Sequence, residues 1–275
     1  SLLYSDTLTT ILMNTSVINS GVTADLEWNA IHNPLLLSSS SNYDLHYINN
    51  SDNIIANTPD LFYQMDANNC GYTPEFYVEI ADASGCVSRS SIGEIYLQDT
   101  LSPITPIIKD VSVNNMGKAV ISWVHSSEAD FYIIYLQDPN GAWITLDTVS
   151  AALDSYIYQS SFAEYTFESF SVKAIDTCGN ARVRSLTHNS ILLTNSSNAC
   201  DYSISLDWND YVNWDGGTHH YNILISEIDV NGNIFDTTIR LQELTELVID
   251  NISSLASYNI VVEAYNNDST FKATS

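Results

Sequence analysis

Positive charge is scarce in this sequence. Lysine and arginine together number 8 of 275 residues against 33 acids, a formal net charge of −25. Such a surface repels phosphate backbones, which excludes a nucleic-acid partner, and it disfavours anionic membrane surfaces. It suits solubility and divalent cations. Long apolar runs are also missing: no stretch of about 18 apolar residues occurs, so no helical membrane span is encoded. No signal-peptide pattern is present, and the first residue is Ser1, so the chain reads as a mature or excised piece. The 4 cysteines, Cys70, Cys86, Cys178 and Cys200, form no C-x-x-C pair, which argues against a zinc or thioredoxin-type motif. No long segment holds a capped i, i+3, i+4, i+7 apolar pattern, so no significant helix is expected.

What is plentiful is the material of strands. Apolar residues make up 45% of the chain and tyrosine alone numbers 17. Three patterns recur in fixed order. A strand ends in tryptophan at Leu26-Glu27-Trp28, Ile121-Ser122-Trp123 and Leu206-Asp207-Trp208. A Tyr-x-aliphatic strand follows at Tyr43/Leu45, Tyr132/Ile134 and Tyr221/Ile223. An aromatic-x-aliphatic-x-aliphatic strand comes third, at Phe76/Val78/Ile80, Phe170/Val172/Ala174 and Tyr258/Ile260/Val262. A unit of roughly 85–95 residues fits a small β-sandwich. Asn140-Gly141 and Asn231-Gly232 sit between strand patterns, where Asn-Gly supplies the positive φ values of a tight hairpin. "DASG" (82–85) and "DTCG" (176–179) follow the third pattern at equivalent places.

With the strands laid out, "ISSLASYNIVVEAYN" (252–266) resembles the E–F corner and F strand of fibronectin type III domains, and "FSVKAIDTCGN" (170–180) resembles the same strand in bacterial versions. The resemblance implies three tandem immunoglobulin-like sandwiches, an all-β fold. Trp28, Trp123 and Trp208 match its core tryptophan, and Tyr258 its corner tyrosine, with Phe76 in that place in the first repeat. The segments 84–103 and 200–223 are similar to tandem repeats of Bacteroidota surface proteins associated with gliding motility and type IX secretion.

The expected division is a tail or exchanged strand at 1–7, domains at 8–101 and 102–195, and a third at 196–275. Its last strand is incomplete, because few residues follow the third F strand. Prolines in "DTLSPITP" (99–106) mark the first join. The second, "SILLTNSSNAC" (190–200), leaves little room for a separate first strand, so a tight, packed junction is expected there.

Candidate chemistry is sparse. Cys178 has Asp176 beside it and no nearby histidine, a poor setting for a nucleophilic thiol. Disulfides Cys70–Cys86 and Cys178–Cys200 are favoured because each closes a short loop, though an intervening strand strains the first. His219-His220 are adjacent and would point to opposite faces of a strand. Asp207, Asp210 and Asp215 are weak calcium candidates on one loop. Trp143, Tyr202, Tyr211 and Trp214 lie outside the core patterns, and their faces could stack on sugar rings or pack on a neighbouring domain; Tyr211, Trp214 and Trp143 are the interface candidates, with Tyr211 and Trp214 expected to pack at the second junction. No other cofactor is implied. The expectation is a non-enzymatic stalk or adhesin segment of a secreted, cell-surface protein, outer-membrane-associated, whose partners are neighbouring domains or subunits. The alternatives are a module binding polysaccharide or a cell-surface protein, and a filament subunit assembled by strand exchange.

Overall fold

The computed structural model describes residues 10–19, 22–31, 41–66, 70–83 and 85–275. The expected segment at 1–7 lies outside them. Among the described residues there is no α-helix, and hence none long and apolar enough to cross a membrane. The chain divides into two compact units, 1–101 and 102–275.

The first unit contains β1 (Met13–Ile18), β2 (Thr23–Trp28), β3 (Tyr43–Ile48), β4 (Asp52–Thr58), β5 (Phe62–Asp66), β6 (Glu75–Ala81), β7 (Val87–Arg89) and β8 (Gly93–Glu94). One sheet has the order β1-β2-β5 and the other β4-β3-β6-β7, with β8 continuing the edge of β6. In letters these are A-B-E and C′-C-F-G. The second unit repeats the arrangement twice. Its first sandwich holds β9 (Ile108–Val113), β10 (Ala119–Trp123), β11 (Phe131–Gln137), β12 (Trp143–Ser150), β13 (Ser155–Ile157), β14 (Ser169–Ile175) and β15 (His188–Asn189). Its second holds β16 (Leu193–Asn198), β17 (Ser203–Trp208), β18 (Thr218–Ile228), β19 (Ile234–Leu241), β20 (Glu246–Ile249), β21 (Ser257–Asn266) and β22 (Lys272–Thr274). The sheet orders are β13-β10-β9 with β12-β11-β14-β15, and β16-β17-β20 with β19-β18-β21-β22. All pairings are antiparallel. The chain is therefore three tandem sandwiches of fibronectin-III-like topology.

The period-two pattern explains the layering. In β2, Ala24, Leu26 and Trp28 are buried, and Glu27 points out. β10 and β17 repeat this with Ala119/Ile121/Trp123 and Ile204/Leu206/Trp208. Each tryptophan packs edge-to-face on the first tyrosine of its C strand, with ring centroids 6.0, 5.1 and 5.7 Å apart for Trp28–Tyr43, Trp123–Tyr132 and Trp208–Tyr221. Each tyrosine hydroxyl then accepts a backbone N–H from its own B–C loop: Ile31 at 3.2 Å, Ser126 at 2.6 Å and Tyr211 at 3.0 Å. The three indole N–H groups find no acceptor among the described residues. That costs about 1–3 kcal/mol each, outweighed by the burial of the ring.

One turn recurs five times among the described residues. Asp82, Asn114, Asp138, Asp176 and Asp229 each accept, through the backbone carbonyl, the N–H of a glycine three residues on. The same side chains accept backbone N–H groups within the turn, as Asp138 does from Asn140 and Ala142. At Asn140-Gly141 only the glycine takes a positive φ, +84°, so the hairpin is an Asp-anchored turn closed by a glycine bulge, not a two-residue Asn-Gly turn.

Register corrects the alignment of the third repeat. Leu45 opposes Val78, Ile134 opposes Val172 and Ile223 opposes Val262. Val78, Val172 and Val262 are thus equivalent, and the expected F-strand anchors of the third repeat were placed two residues early. Tyr258 is the counterpart of Glu168 and Pro74, not of Phe76. At that corner the Tyr258 hydroxyl accepts the Ser253 N–H at 2.8 Å. In the second sandwich the buried Glu168 carboxylate accepts the Phe162 N–H at 2.9 Å and the Ser161 hydroxyl at 2.6 Å. A different side chain thereby holds the same corner.

A second shared device was not read from the sequence. Ser90, Ser185 and Ser275 each donate a backbone N–H to the carbonyl of the equivalent valine. Their hydroxyls accept that valine's N–H, at 3.0 Å from Val78, 2.9 Å from Val172 and 2.9 Å from Val262. The third sandwich therefore does have a G strand against β21: β22 pairs with it, and Ser275 follows in the same register. Ser185→Ala leaves the buried Val172 N–H without its acceptor and should lower stability by about 1–3 kcal/mol, measured by urea unfolding.

Candidate functional site: the joint between the second and third sandwiches

A single continuous core runs through both sandwiches of the second unit, from Ile108 to Ala273. The reason lies in the joint. β15 passes through Ser190 and Ile191, both buried, into β16 with no intervening loop. The B–C loop of the third sandwich then reaches back. Tyr211 and Trp214 from this loop are 3% and 6% exposed. The Tyr211 hydroxyl accepts the Val111 N–H at 2.9 Å, and the Trp214 indole donates to the Lys109 carbonyl at 2.6 Å. These are backbone groups on the edge of β9 that β10 does not pair. The Thr274 N–H adds a bond to the Ser112 hydroxyl at 3.1 Å. An edge strand that would otherwise offer unpaired groups is thus covered by side chains of the next sandwich.

Asparagines complete the joint. Asn189 donates to the Asp210 carbonyl at 2.9 Å and accepts the Val212 N–H at 3.2 Å. Asn209 donates to the Ser190 carbonyl at 3.1 Å and accepts the Leu192 N–H at 2.7 Å. Each amide bridges two backbone segments, donating and accepting at once. Nothing in strand patterning marks these residues; the only sequence signal is the polar "HNS" inside an otherwise apolar strand exit.

His188, 3% exposed, places Nδ1 3.1 Å from the Tyr211 hydroxyl. Burial pushes its pKa down to about 4. Burial also pushes the Tyr211 hydroxyl well above its ordinary value, with the Asp110 charge adding to the shift. Beside the joint lies a cleft of about 750 Å³ with an apolar wall of Pro106, Ile107, Leu186 and Phe271 and a polar rim that includes Asn267 and Asp268.

The remaining candidate residues are dispersed. Asp207 faces solvent on β17, Asp210 sits with its carboxylate 3.5 Å from the Tyr221 hydroxyl, and Asp215 lines the cleft. Among the described residues no three His, Cys, Asp or Glu side chains come together to hold a metal ion. The expectation that His219 and His220 face opposite ways fails locally. A register shift between Thr218 and His220 brings their Nδ1 atoms to 3.0 Å. His220 is then fixed against Tyr265, with rings stacked at 4.7 Å, and near Arg240 at 3.1 Å. Tyr202 is exposed at a positive φ of 50°. Trp143 lies not at a joint but on β12, beneath the Arg184 guanidinium at 4.3 Å.

Neither favoured disulfide forms. Cys70 and Cys178 are the disulfide-bonded cysteines, and Cys86 and Cys200 keep exposed thiols. The seven residues of β6 lie between Cys70 and Cys86. Cys178 sits in the turn at the far end of β14 from β15, whereas Cys200 lies beyond β16 in the next sandwich. Short loops in sequence are therefore long distances in space, beyond disulfide reach. A bonded Cys178 is also no nucleophile.

No protein-family model matches the chain, and no curated protein sequence matches it. Among solved structures it is similar to the FN1–FN3 domains of chicken CNTN1, with 15% identity, 96% of each chain covered and a TM-score of 0.31. It is also similar to a tetra-tandem repeat in the extending region of a large adhesion protein, with 13% identity, 97% of this chain and 73% of that one covered, and a TM-score of 0.34. At these scores the likeness carries no weight beside the topology described above.

Two outcomes test the site. Cys70 and Cys178 should alkylate under denaturing conditions only after reduction, as read by peptide mass. His188 stays neutral when folded but takes a proton near pH 6.5 when unfolded. The unfolded state therefore binds more protons, and stability should fall as pH drops from about 6.5 toward 4, by about 3 kcal/mol from this residue. In His188→Gln that part of the pH dependence should disappear from chemical-denaturation curves.

Proposed function

We propose that this chain is a non-enzymatic spacer segment of an extracellular, cell-surface protein, in which the second and third sandwiches act as one stiff unit that holds other parts at a distance. The observation that carries this is the joint. Tyr211 and Trp214 close the β9 edge and merge two cores, where a hinge would use a flexible linker. The disulfide-bonded cysteines suit an oxidising compartment, and the net charge of −25 keeps an exposed array soluble and apart from its neighbours. The finer assignment, to secreted bacterial surface proteins of the gliding-motility and type IX group, rests on the resemblance of segments 84–103 and 200–223. A stalk or adhesin role fits that setting.

The test is mechanical. In single-molecule stretching of the full chain under reducing conditions, the second and third sandwiches should unfold in one event that releases the length of both. Trp214→Ala removes a buried ring and the Lys109 hydrogen bond, a loss of about 3–5 kcal/mol. It should split that event into two. Separate events in the unaltered chain would end the stiff-unit reading.

A further inference from the structure

The outer faces of the three C′-C-F-G sheets share one cross-strand position. With Val78, Val172 and Val262 in register, the next residue on each F strand is Glu79, Lys173 and Glu263. Through Ser90, Ser185 and Ser275, the preceding residue on the G side is Arg89, Arg184 and Thr274. In the first sandwich this position is an ion pair, Arg89 Nη2 to Glu79 Oε1 at 2.6 Å. In the third, Glu263 finds its cation two pairs along, on the same face, at Lys272, also 2.6 Å away. In the second the carboxylate is replaced by Lys173, so the two facing side chains are both cations. Like charges across a strand pair oppose folding, and nothing on this sheet neutralises them.

Arg182, two residues before Arg184 and on the same side, lines the same cleft of about 810 Å³. A chain with 8 cations and 33 acids thus puts Lys173, Arg182 and Arg184 in one cleft whose lining contains no Asp or Glu. Among the described residues no carboxylate lies within ion-pair distance of any of the three. The Arg184 guanidinium lies over aromatic rings, with Cζ 4.3 Å from the Trp143 ring centre and 5.1 Å from that of Tyr135. Stacking occupies its face and leaves its N–H edges available, the arrangement that grips a carboxylate or sulfate through two parallel hydrogen bonds.

We propose that this cleft binds an acidic polysaccharide, seating a carboxylate or sulfate group against Lys173, Arg182 and the edge of Arg184, with a sugar ring against the Tyr135–Trp143 wall. A slender polyanion fits better than a broad acidic protein surface, because the rest of this chain is strongly acidic and repels one. The site is independent of the spacer role, since charge changes here leave the Tyr211–Trp214 joint untouched.

The test is calorimetric titration of the full chain with alginate (carboxylate), dextran sulfate (sulfate), neutral dextran and poly-L-glutamate. Binding to alginate, to dextran sulfate or to both is expected, with none to neutral dextran, and the preferred polymer identifies the anionic group. Lys173→Glu recreates the Glu79–Arg89 pair, so it should keep the melting temperature and weaken glycan binding at least tenfold. Arg184→Gln should weaken it similarly, and Arg89→Ala should not. The proposal is overturned by an absence of binding to both acidic glycans, by binding that Lys173→Glu and Arg184→Gln leave intact, or by poly-L-glutamate binding as tightly as the glycans, which would assign the cleft to an acidic protein.

Discussion

The contact on which this molecule depends is the tryptophan–tyrosine pair at the centre of each sandwich. The tryptophan ends the B strand in one sheet, and the tyrosine begins the C strand in the other. Their edge-to-face packing ties the sheets together. The tyrosine hydroxyl then accepts an N–H from the B–C loop and fixes that loop to the core. In the third sandwich the bonded residue is Tyr211 itself. The core contact of one sandwich therefore aims the side chains that lock it to the preceding one. A loss at Trp208 or Tyr221 would loosen the joint as well as the sandwich.

From that lock follow the physical properties of the second unit. The outer edge of β9 is satisfied by a hydroxyl and an indole instead of by another strand. Such an edge does not recruit a foreign chain, and it gives two small sandwiches one large core. Small domains gain from sharing a core because the buried fraction rises with size. His188 ties the lock to pH, since its burial between the sandwiches excludes the charged imidazole.

Much of the fold was legible in the chain itself. The tryptophan and tyrosine anchors, the alternation of β2, β10 and β17, and the strand-ending Asp-x-x-Gly turns all express local preferences that hold whatever the surroundings. The packing of Tyr211 and Trp214 at the second junction was readable from their place beside a short linker. The misreadings have a common cause. Tyr258 was aligned with Phe76 because an aromatic followed by alternating aliphatics looks alike at a shift of two, and only the hydrogen-bond ladder distinguishes the registers. The cysteine pairs failed because nearness in sequence runs along strands that hold their ends apart. The bulge at His219 and the serines at 90, 185 and 275 left no periodic signal, since each acts locally on the backbone: the bulge shifts the register by one residue, and each serine pairs with one valine.

The sequence by itself determined what each segment prefers: strands of period two, turns where an Asp precedes a glycine by three, and an acidic surface with few cations. These are properties of a residue and its immediate neighbours. Only the tertiary structure decided which residues share a place. It set Glu168 at the corner Tyr258 occupies, Lys173 where Glu79 and Glu263 stand, and Tyr211 against an edge a hundred residues away. Such relations depend on register and on the meeting of distant strands. In antiparallel sheets a shift of two residues preserves every inward and outward side chain, so the pattern permits several answers and packing selects one.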